Sequence, residues 1–199
     1  MPKSRRLQAS ALPTLIVTGP SGSGKDTVVD ELLTRYPNRL AKPVSATTRP
    51  PRPGEVQGKD YHFLKAETFK RWQELGMFVE TTESGGRHYG MLKREFKRIT
   101  KAGQQAIVCC DTEGVENLTE LDFDIKAVFL DVWIRQLSER ICDRDRQIPE
   151  LELNHRLMRA GEEKDWASAR ILHLPLKIVD NTGDLEATVQ EVEEFFDLA

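Results

Sequence analysis

Leu15-Ile16-Val17-Thr18-Gly19-Pro20-Ser21-Gly22-Ser23-Gly24-Lys25-Asp26-Thr27 is the stretch on which the fold turns. The aliphatic run with its β-branched members, bounded by Pro13 and Gly19, predicts a short buried strand. Beyond the glycines, Val28, Val29, Leu32 and Leu33 recur at helical intervals as far as Tyr36, and Pro37-Asn38 stops the helix. Strand, loop, helix is the setting in which G-x-x-x-x-G-K binds phosphate. The glycines let backbone N–H groups turn inward around anionic oxygens, the helix N-terminus adds its positive dipole end, and Lys25 supplies a mobile cation. Gly19, Pro20, Ser21, Gly22, Ser23, Gly24, Lys25, Asp26 and Thr27 thus form a candidate phosphate loop, with Lys25 read as a solvated side chain that contributes little to the core. After the lysine this motif usually carries a Ser or Thr that ligates magnesium; here Asp26 comes first and Thr27 second. Asp26 either ligates magnesium, directly or through water, or sits in the helix first turn, where a carboxylate is favoured.

Working outward, further strands are predicted over Ala106–Asp111, Ala127–Leu130 and Leu176–Val179, and helices over Ile134–Arg144, Leu151–Ala169 and from a cap at Asp184 to Phe196. Strands alternating with helices make an α/β parallel sheet covered on both faces. Two stretches interrupt the alternation. Residues 43–102 carry a Pro-, Arg- and Thr-rich loop, a short helix over Ala66–Leu75 capped by Gly76, an extended Met77–Glu80 and a helix over Leu92–Ala102. Residues 134–169 carry the two charged helices. The expected organisation is a loose tail over 1–12 and one domain over 13–199. Its core comprises 13–42, 103–133 and 170–199, and its two inserted lobes lie at the sheet's functional edge.

Composition narrows the class. The 199 residues carry a formal charge of −3, so any anionic ligand must be held by local cations, and broad nucleic-acid binding, which shows as a basic excess, is not expected. No apolar run approaches the roughly 18 residues of a membrane span, and the apolar part of the N-terminus is short and broken by Pro13, unlike a secretory signal. A cytoplasmic protein is expected. The three cysteines, Cys109, Cys110 and Cys142, cannot all pair within one chain and lack zinc-site spacing; Cys109 and Cys110 read as buried strand residues. His62, His88, His155 and His173 are scattered and need no catalytic role.

The densest chemistry lies in Ser45-Ala46-Thr47-Thr48-Arg49-Pro50-Pro51-Arg52-Pro53-Gly54-Glu55-Val56-Gln57-Gly58-Lys59-Asp60-Tyr61-His62-Phe63. Arg49 and Arg52 stand three apart on a proline-stiffened loop, so their planar forks can converge on one dianionic phosphate, with Tyr61 and Tyr89 adding neutral hydroxyl donors. Proline on either side lowers the ordering entropy that binding would otherwise cost.

This run resembles the nucleoside-monophosphate-binding signature of the guanylate kinases nearly letter for letter. The resemblance continues through Phe78-Val79-Glu80, Tyr89-Gly90, Asp111-Thr112-Glu113-Gly114, Arg140-Ile141-x-x-Arg144, Arg156-Leu157-x-x-Ala160-x-x-Glu163 and Ile178-Val179-Asp180-Asn181. It implies a P-loop NTPase-type sheet with an acceptor-binding lobe and a lid. The implied activity is ATP-dependent, magnesium-assisted phosphorylation of GMP or dGMP. By the same resemblance Ser45, Arg49, Arg52, Tyr61, Glu80, Tyr89 and Asp111 hold GMP, residues 19–27 hold ATP, and Lys25, Arg140, Arg144 and Arg156 neutralise the transferring phosphoryl group. Arg146 and Arg159 have no such match and read as solvated surface. Glu80 makes chemical sense as the base reader, because guanine offers two adjacent donors where adenine would oppose it with an acceptor. The chain departs from the family at Met91, where Ser or Thr is usual, at Cys109, which replaces the first carboxylate of Asp-x-Asp, and at Asp145, which replaces a glycine. Two alternatives remain open on the residues alone: a ribose 1,5-bisphosphate phosphokinase, for which Gly24-Lys25-Asp26 speaks, and a non-catalytic protein-binding module, against which Lys25 speaks.

Overall fold

The computed structural model describes residues 12–121 and 123–198, so the expected tail, Leu12 apart, lies outside the described residues. Its first strand, β1 (Thr14–Thr18), is buried at every position, as a strand covered on both faces must be. Beyond the phosphate loop comes α1 (Lys25–Arg35), which buries Val28, Val29 and Leu32 against the sheet. Then follow β2 (Leu40–Ala41), β3 (Ala46–Thr47), β4 (His62–Phe63), α2 (Ala66–Glu74), β5 (Phe78–Ser84), β6 (Arg87–Leu92) and α3 (Lys93–Lys101). The chain returns to the core with β7 (Gln105–Cys109), α4 (Thr112–Glu120) and β8 (Ile125–Asp131). It closes with α5 (Ile134–Arg144), α6 (Glu150–Arg170), β9 (Leu176–Asp180) and α7 (Leu185–Phe195).

Five strands, in the order β2-β7-β1-β8-β9, form a wholly parallel sheet. On one face Val28, Leu32, Val189, Val192 and Phe196 pack against Leu15, Val17 and Val128. On the other, Phe96, Ile99, Val115, Leu118 and Ala167 pack against Ile16, Ala127 and Phe129. From central β1 the chain first runs to one edge and later crosses to the other. Loops at the carboxyl ends of β1, β7, β8 and β9 therefore converge on the crevice where the order reverses, the place such sheets hold ligands. A second sheet, β4-β3-β6-β5, has its own core of Ala46, Phe69, Phe78 and Leu92. Its β4 is stitched to α3 by buried Glu95, which meets His62 Nε2 at 3.2 Å and accepts from Arg98 Nε at 2.9 Å. No helix among the described residues is long and apolar enough to cross a membrane.

The structure departs from the sequence reading in three ways. The strand expected to reach Asp111 ends at Cys109, and Asp111 instead caps α4, its side chain accepting from Gly114 N at 3.0 Å. The nine-residue α4 itself is not legible in the sequence, because it contains Gly114 and buries no large apolar side chains beyond Val115 and Leu118. The strand expected to stop at Glu80 runs on to Ser84 as one arm of a hairpin with β6, whose outer half, Arg87 and His88, is exposed and polar and carries no strand-like apolar alternation.

Gly90 is the tightest point of that hairpin: a Cβ there would stand 2.7 Å from the Phe78 ring and 3.0 Å from the Glu80 carbonyl oxygen. Gly90→Ala must therefore push β5 away from β6, and overpacking of this kind costs about 1–3 kcal/mol. Urea denaturation should show the midpoint falling accordingly; an unchanged midpoint would mean the hairpin has slack.

Candidate active site

The phosphate loop departs from helical geometry before α1 begins. Gly24, its N-cap, has φ 90°, and a Cβ there would lie 2.8 Å from Asn181 Nδ2, so both conformation and space demand glycine. Asn181 is buried at the end of β9. Its amide donates to Ser23 O at 2.6 Å, its side-chain carbonyl accepts from Thr188 Oγ1 at 2.9 Å, and its backbone carbonyl accepts from Arg140 Nη2 at 3.0 Å. One residue thus links the loop, α7 and α5. The sequence quotes Asn181 only within a matching run; its role under the loop emerges from the fold.

Lys25 corrects the expectation of a solvated cation. Its Nζ donates to Gly19 O at 2.6 Å and Pro20 O at 3.0 Å, and so caps two carbonyls of the loop. Asp26 is exposed, with Lys42 Nζ 3.7 Å away. Burial, followed by the nearby Asp26 charge, pushes the Cys109 thiol up to about 12, so it is a neutral thiol at the strand end where the resemblance implies a carboxylate. Asp26 thus stands beside the position that lacks one.

Above the loop lies a cavity of about 760 Å³, lined by the loop glycines, Lys25, Asp26, Thr27 and Asp111 and roofed by α5 and α6. Arg140, Arg144 and Arg156 all face it. Arg144 Nη2 donates to Ser21 Oγ at 3.2 Å, and Arg156 pairs with Glu152 one turn earlier on α6. Arg159, read from the sequence as solvated surface, also lines the cavity, 3.9 Å from Glu163. Glu163 is only 9% exposed, and its Oε2 has no hydrogen-bond partner. Burial pushes its carboxyl above the usual carboxylate range, while Lys25 and Arg159 pull it down. A helical periodicity cannot distinguish such inward charges from solvated ones, because α6 is charged around most of its circumference.

The second group gathers on the small sheet. Arg49 lies over the rings of Tyr61 and Phe63, 5.5 and 5.8 Å from their centroids, and Tyr61 meets Tyr89 edge-on at 6.3 Å. Glu55 holds the loop between the two arginines: Oε1 accepts from Arg49 Nη2 at 2.7 Å and Oε2 from Arg52 N at 2.6 Å. The hydrogen bond to Glu55 raises Arg49 above its ordinary range, and the same bond lowers Glu55. Glu55 was legible in the quoted loop but had no role until the structure placed it against Arg49. The Arg52 side chain is exposed, and Ser45, immediately before β3, accepts from His62 N through its carbonyl at 2.8 Å.

Glu80, on β5, is half-buried and receives Asn117 Nδ2 on Oε2 at 3.3 Å. Burial pushes its carboxyl up, the Asn117 hydrogen bond pulls it down, and Asp111 and Glu113 push it up again. Asn117 lies on α4, whose weak apolar pattern gives no signal for it in the sequence. Asp111 bridges the two groups, since it lines the phosphate cavity and also faces Glu80.

A glycine loop at the switch point of a parallel sheet, roofed by arginines, is the arrangement of a P-loop enzyme of phosphoryl transfer. The family model described as guanylate kinase matches residues 12–198. A guanylate kinase of Nostoc sp. is 34% identical over 180 residues, covering 90% of this chain and 86% of its own. One of Rhodopirellula baltica is 37% identical over 172 residues, covering 84% and 81%. The crystal structure of guanylate kinase from Anaplasma phagocytophilum superposes with a TM-score of 0.68 over 96% of this chain and 87% of that one; at 24% identity it speaks for the fold. The chain belongs to the guanylate kinase family.

Glu80 has a consequence for stability. A carboxyl whose folded pKa lies above its unfolded value costs the fold stability as pH rises through the interval between them, because only the folded state resists the charge. Glu80→Gln removes that loss. Thermal melts should show the variant gaining Tm over wild type at pH 8, with the gain shrinking at pH 4; an equal difference at both would mean the carboxyl carries no such cost.

Proposed function

We propose that the protein transfers the γ-phosphoryl group of ATP to GMP or dGMP, giving ADP and GDP or dGDP. The observation that carries this reading is the cavity in which the phosphate loop, Lys25 and the arginines of α5 and α6 face one space, with Asp111 joining it to the half-buried carboxylate of Glu80. In this reading residues 19–27 bind the ATP phosphates, and Arg49, Arg52, Tyr61 and Tyr89 clamp the acceptor phosphate. Glu80, Asp111 and Ser45 read the base. The acceptor lobe, 43–102, and the lid, 134–169, close on a core of 13–42, 103–133 and 170–199.

The chemistry asks little of acid–base groups. A monophosphate loses its second proton near pH 6, so its oxygen is already a nucleophile at neutral pH. That oxygen forms a bond to the γ-phosphorus while the bond to the bridging oxygen of ADP breaks, and no proton has to move. What the protein supplies is alignment of two anions that repel each other, and positive charge around the group in flight. Lys25 is placed for this: it must exchange the Gly19 and Pro20 carbonyls for phosphate oxygens, a local rotation of one side chain. Arg140, Arg144 and Arg156 come from helices that also exclude water, which suppresses hydrolysis of ATP.

Magnesium bound with ATP would supply further positive charge against the phosphates. Among the described residues no group of three or more His, Cys, Asp or Glu side chains is set to hold a metal. The exposed Asp26 carboxylate is a hard oxygen donor at the cavity wall, which suits an ion that keeps most of its shell as water and phosphate. Asp26 is the residue that would hold it.

A panel of ATP with GMP, dGMP, IMP, AMP or ribose 1,5-bisphosphate tests the proposal. GMP should give the highest kcat/KM, with IMP, lacking the 2-amino donor, nearer to it than AMP. Preference for AMP or for the sugar phosphate would overturn the reading. Arg52→Ala should raise KM for GMP about ten- to a hundredfold, the worth of one charge-assisted contact, and leave KM for ATP in place. The reverse pattern would exchange the two lobes.

A further inference from the structure

Glu80 is an acidic group in acidic company. The charges of Asp111 and Glu113, at the start of α4, act on it, as it acts on the Cys110 thiol just past β7, and the residue paired with it across the hairpin is Met91, whose side chain carries no donor. Among the described residues the one hydrogen-bond donor its carboxylate meets is the side-chain amide of Asn117, in the second turn of α4. We propose that Asn117 is a positioning residue for base recognition, holding the Glu80 carboxylate in the orientation that meets the two adjacent donors of a guanine edge. The proposal rests on the reading of Glu80 given above and extends it to a residue that does not itself complete the match.

The chemistry of an amide suits this position. A carboxylate offers about four lone-pair sites, so one N–H on Oε2 fixes its rotation and leaves lone pairs on both oxygens for the base. A lysine or arginine here would neutralise Glu80 and compete with the base for the same lone pairs. An acid would add a further negative charge to Asp111 and Glu113. The amide also opposes the effect of burial, since it favours the ionised form, the form that accepts from guanine. In this chain the support comes from α4, because Met91 on the facing strand has no donor to give.

The test is kcat/KM for GMP and for AMP, with ATP, from pH 5.5 to 8.5, in wild type and in Asn117→Ala, Asn117→Asp and Asn117→Gln. Both acceptors carry the same phosphate, so its ionisation cancels in their ratio. Asn117→Ala should lower the GMP to AMP ratio about three- to tenfold, the worth of one hydrogen bond, with the loss falling on KM for GMP rather than on kcat or KM for ATP. The ratio should fall furthest at the acid end, where Glu80 without its donor is protonated earlier, and Asn117→Asp should exaggerate both effects. Asn117→Gln should restore the ratio to within about twofold, which a merely structural role of the helix position would not require. Asn117→Ser, polar but too short to reach Glu80, replaces the alanine variant if that does not fold. A wild type that prefers GMP and a variant that keeps its ratio at every pH overturn the role of Asn117 alone. A wild type indifferent to the base overturns the reading of Glu80 and this proposal with it.

Discussion

The hydrogen bond from the Asn181 amide to the Ser23 carbonyl, 2.6 Å long and buried, is the interaction on which the arrangement of this molecule depends. A phosphate loop binds anions only because its N–H groups are left unpaired and aimed inward, which is an expensive state for a buried backbone. Its carbonyls find partners within the loop and beyond it, and Ser23 N donates to Pro20 O at 3.0 Å. Asn181 takes that of Ser23, and Lys25 takes those of Gly19 and Pro20. Asn181 is itself held by Thr188 of α7 and holds Arg140 of α5. The polar network under the loop therefore reaches from the last strand to the roof of the cavity, and the loop's shape is a property of the whole sheet rather than of its seven residues.

Charge is distributed with the same economy. The cations form two groups: Lys25, Arg140, Arg144, Arg156 and Arg159 around one cavity, Arg49 and Arg52 on a stiffened loop apart from it, the places to which the proposed reading assigns phosphates. Three acids, Glu80, Asp111 and Glu113, form a third group, the one to which the proposed reading assigns the base. Each of the two cation groups includes one carboxylate that tempers it. Glu55 pairs with Arg49 and ties the loop backbone, and Glu163 sits buried among the arginines beside Arg159. Keeping a carboxyl such as Glu80 half-buried among like charges works against stability, and the core elsewhere offsets it, with two apolar clusters packed on opposite faces of one parallel sheet.

Two departures from the family pattern are related in space. Cys109 replaces a carboxylate at the end of β7 and is a neutral thiol in its buried setting, while Asp26 introduces a carboxylate at the start of α1, where Ser or Thr is usual, close enough to raise the Cys109 pKa. One negative charge thus remains at this corner of the cavity, carried by a different element. Met91 is a further departure, and across the hairpin from it Glu80 turns to α4 for its only donor among the described residues.

The sequence by itself determined the class of fold and the phosphate chemistry. Both rest on short-range signals: an aliphatic run, a glycine loop and a helical repeat from Leu15 to Tyr36, and two arginines three apart between prolines at Arg49 and Arg52. Backbone conformation and local spacing are properties of consecutive residues, so they can be read in one dimension. Tertiary structure decided which polar groups meet. Asn181 lies 158 residues from Ser23, Asn117 lies 37 from Glu80, and Arg159 faces inward from a helix whose charge pattern looks solvated. Helix α4, with Gly114 and two large buried apolar side chains, is held by its packing against the sheet more than by its own propensity, and with it Asn117 was hidden. Hydrogen-bond partners are set by how elements pack, and no periodicity in the chain encodes a pairing between residues that only a crossover brings together.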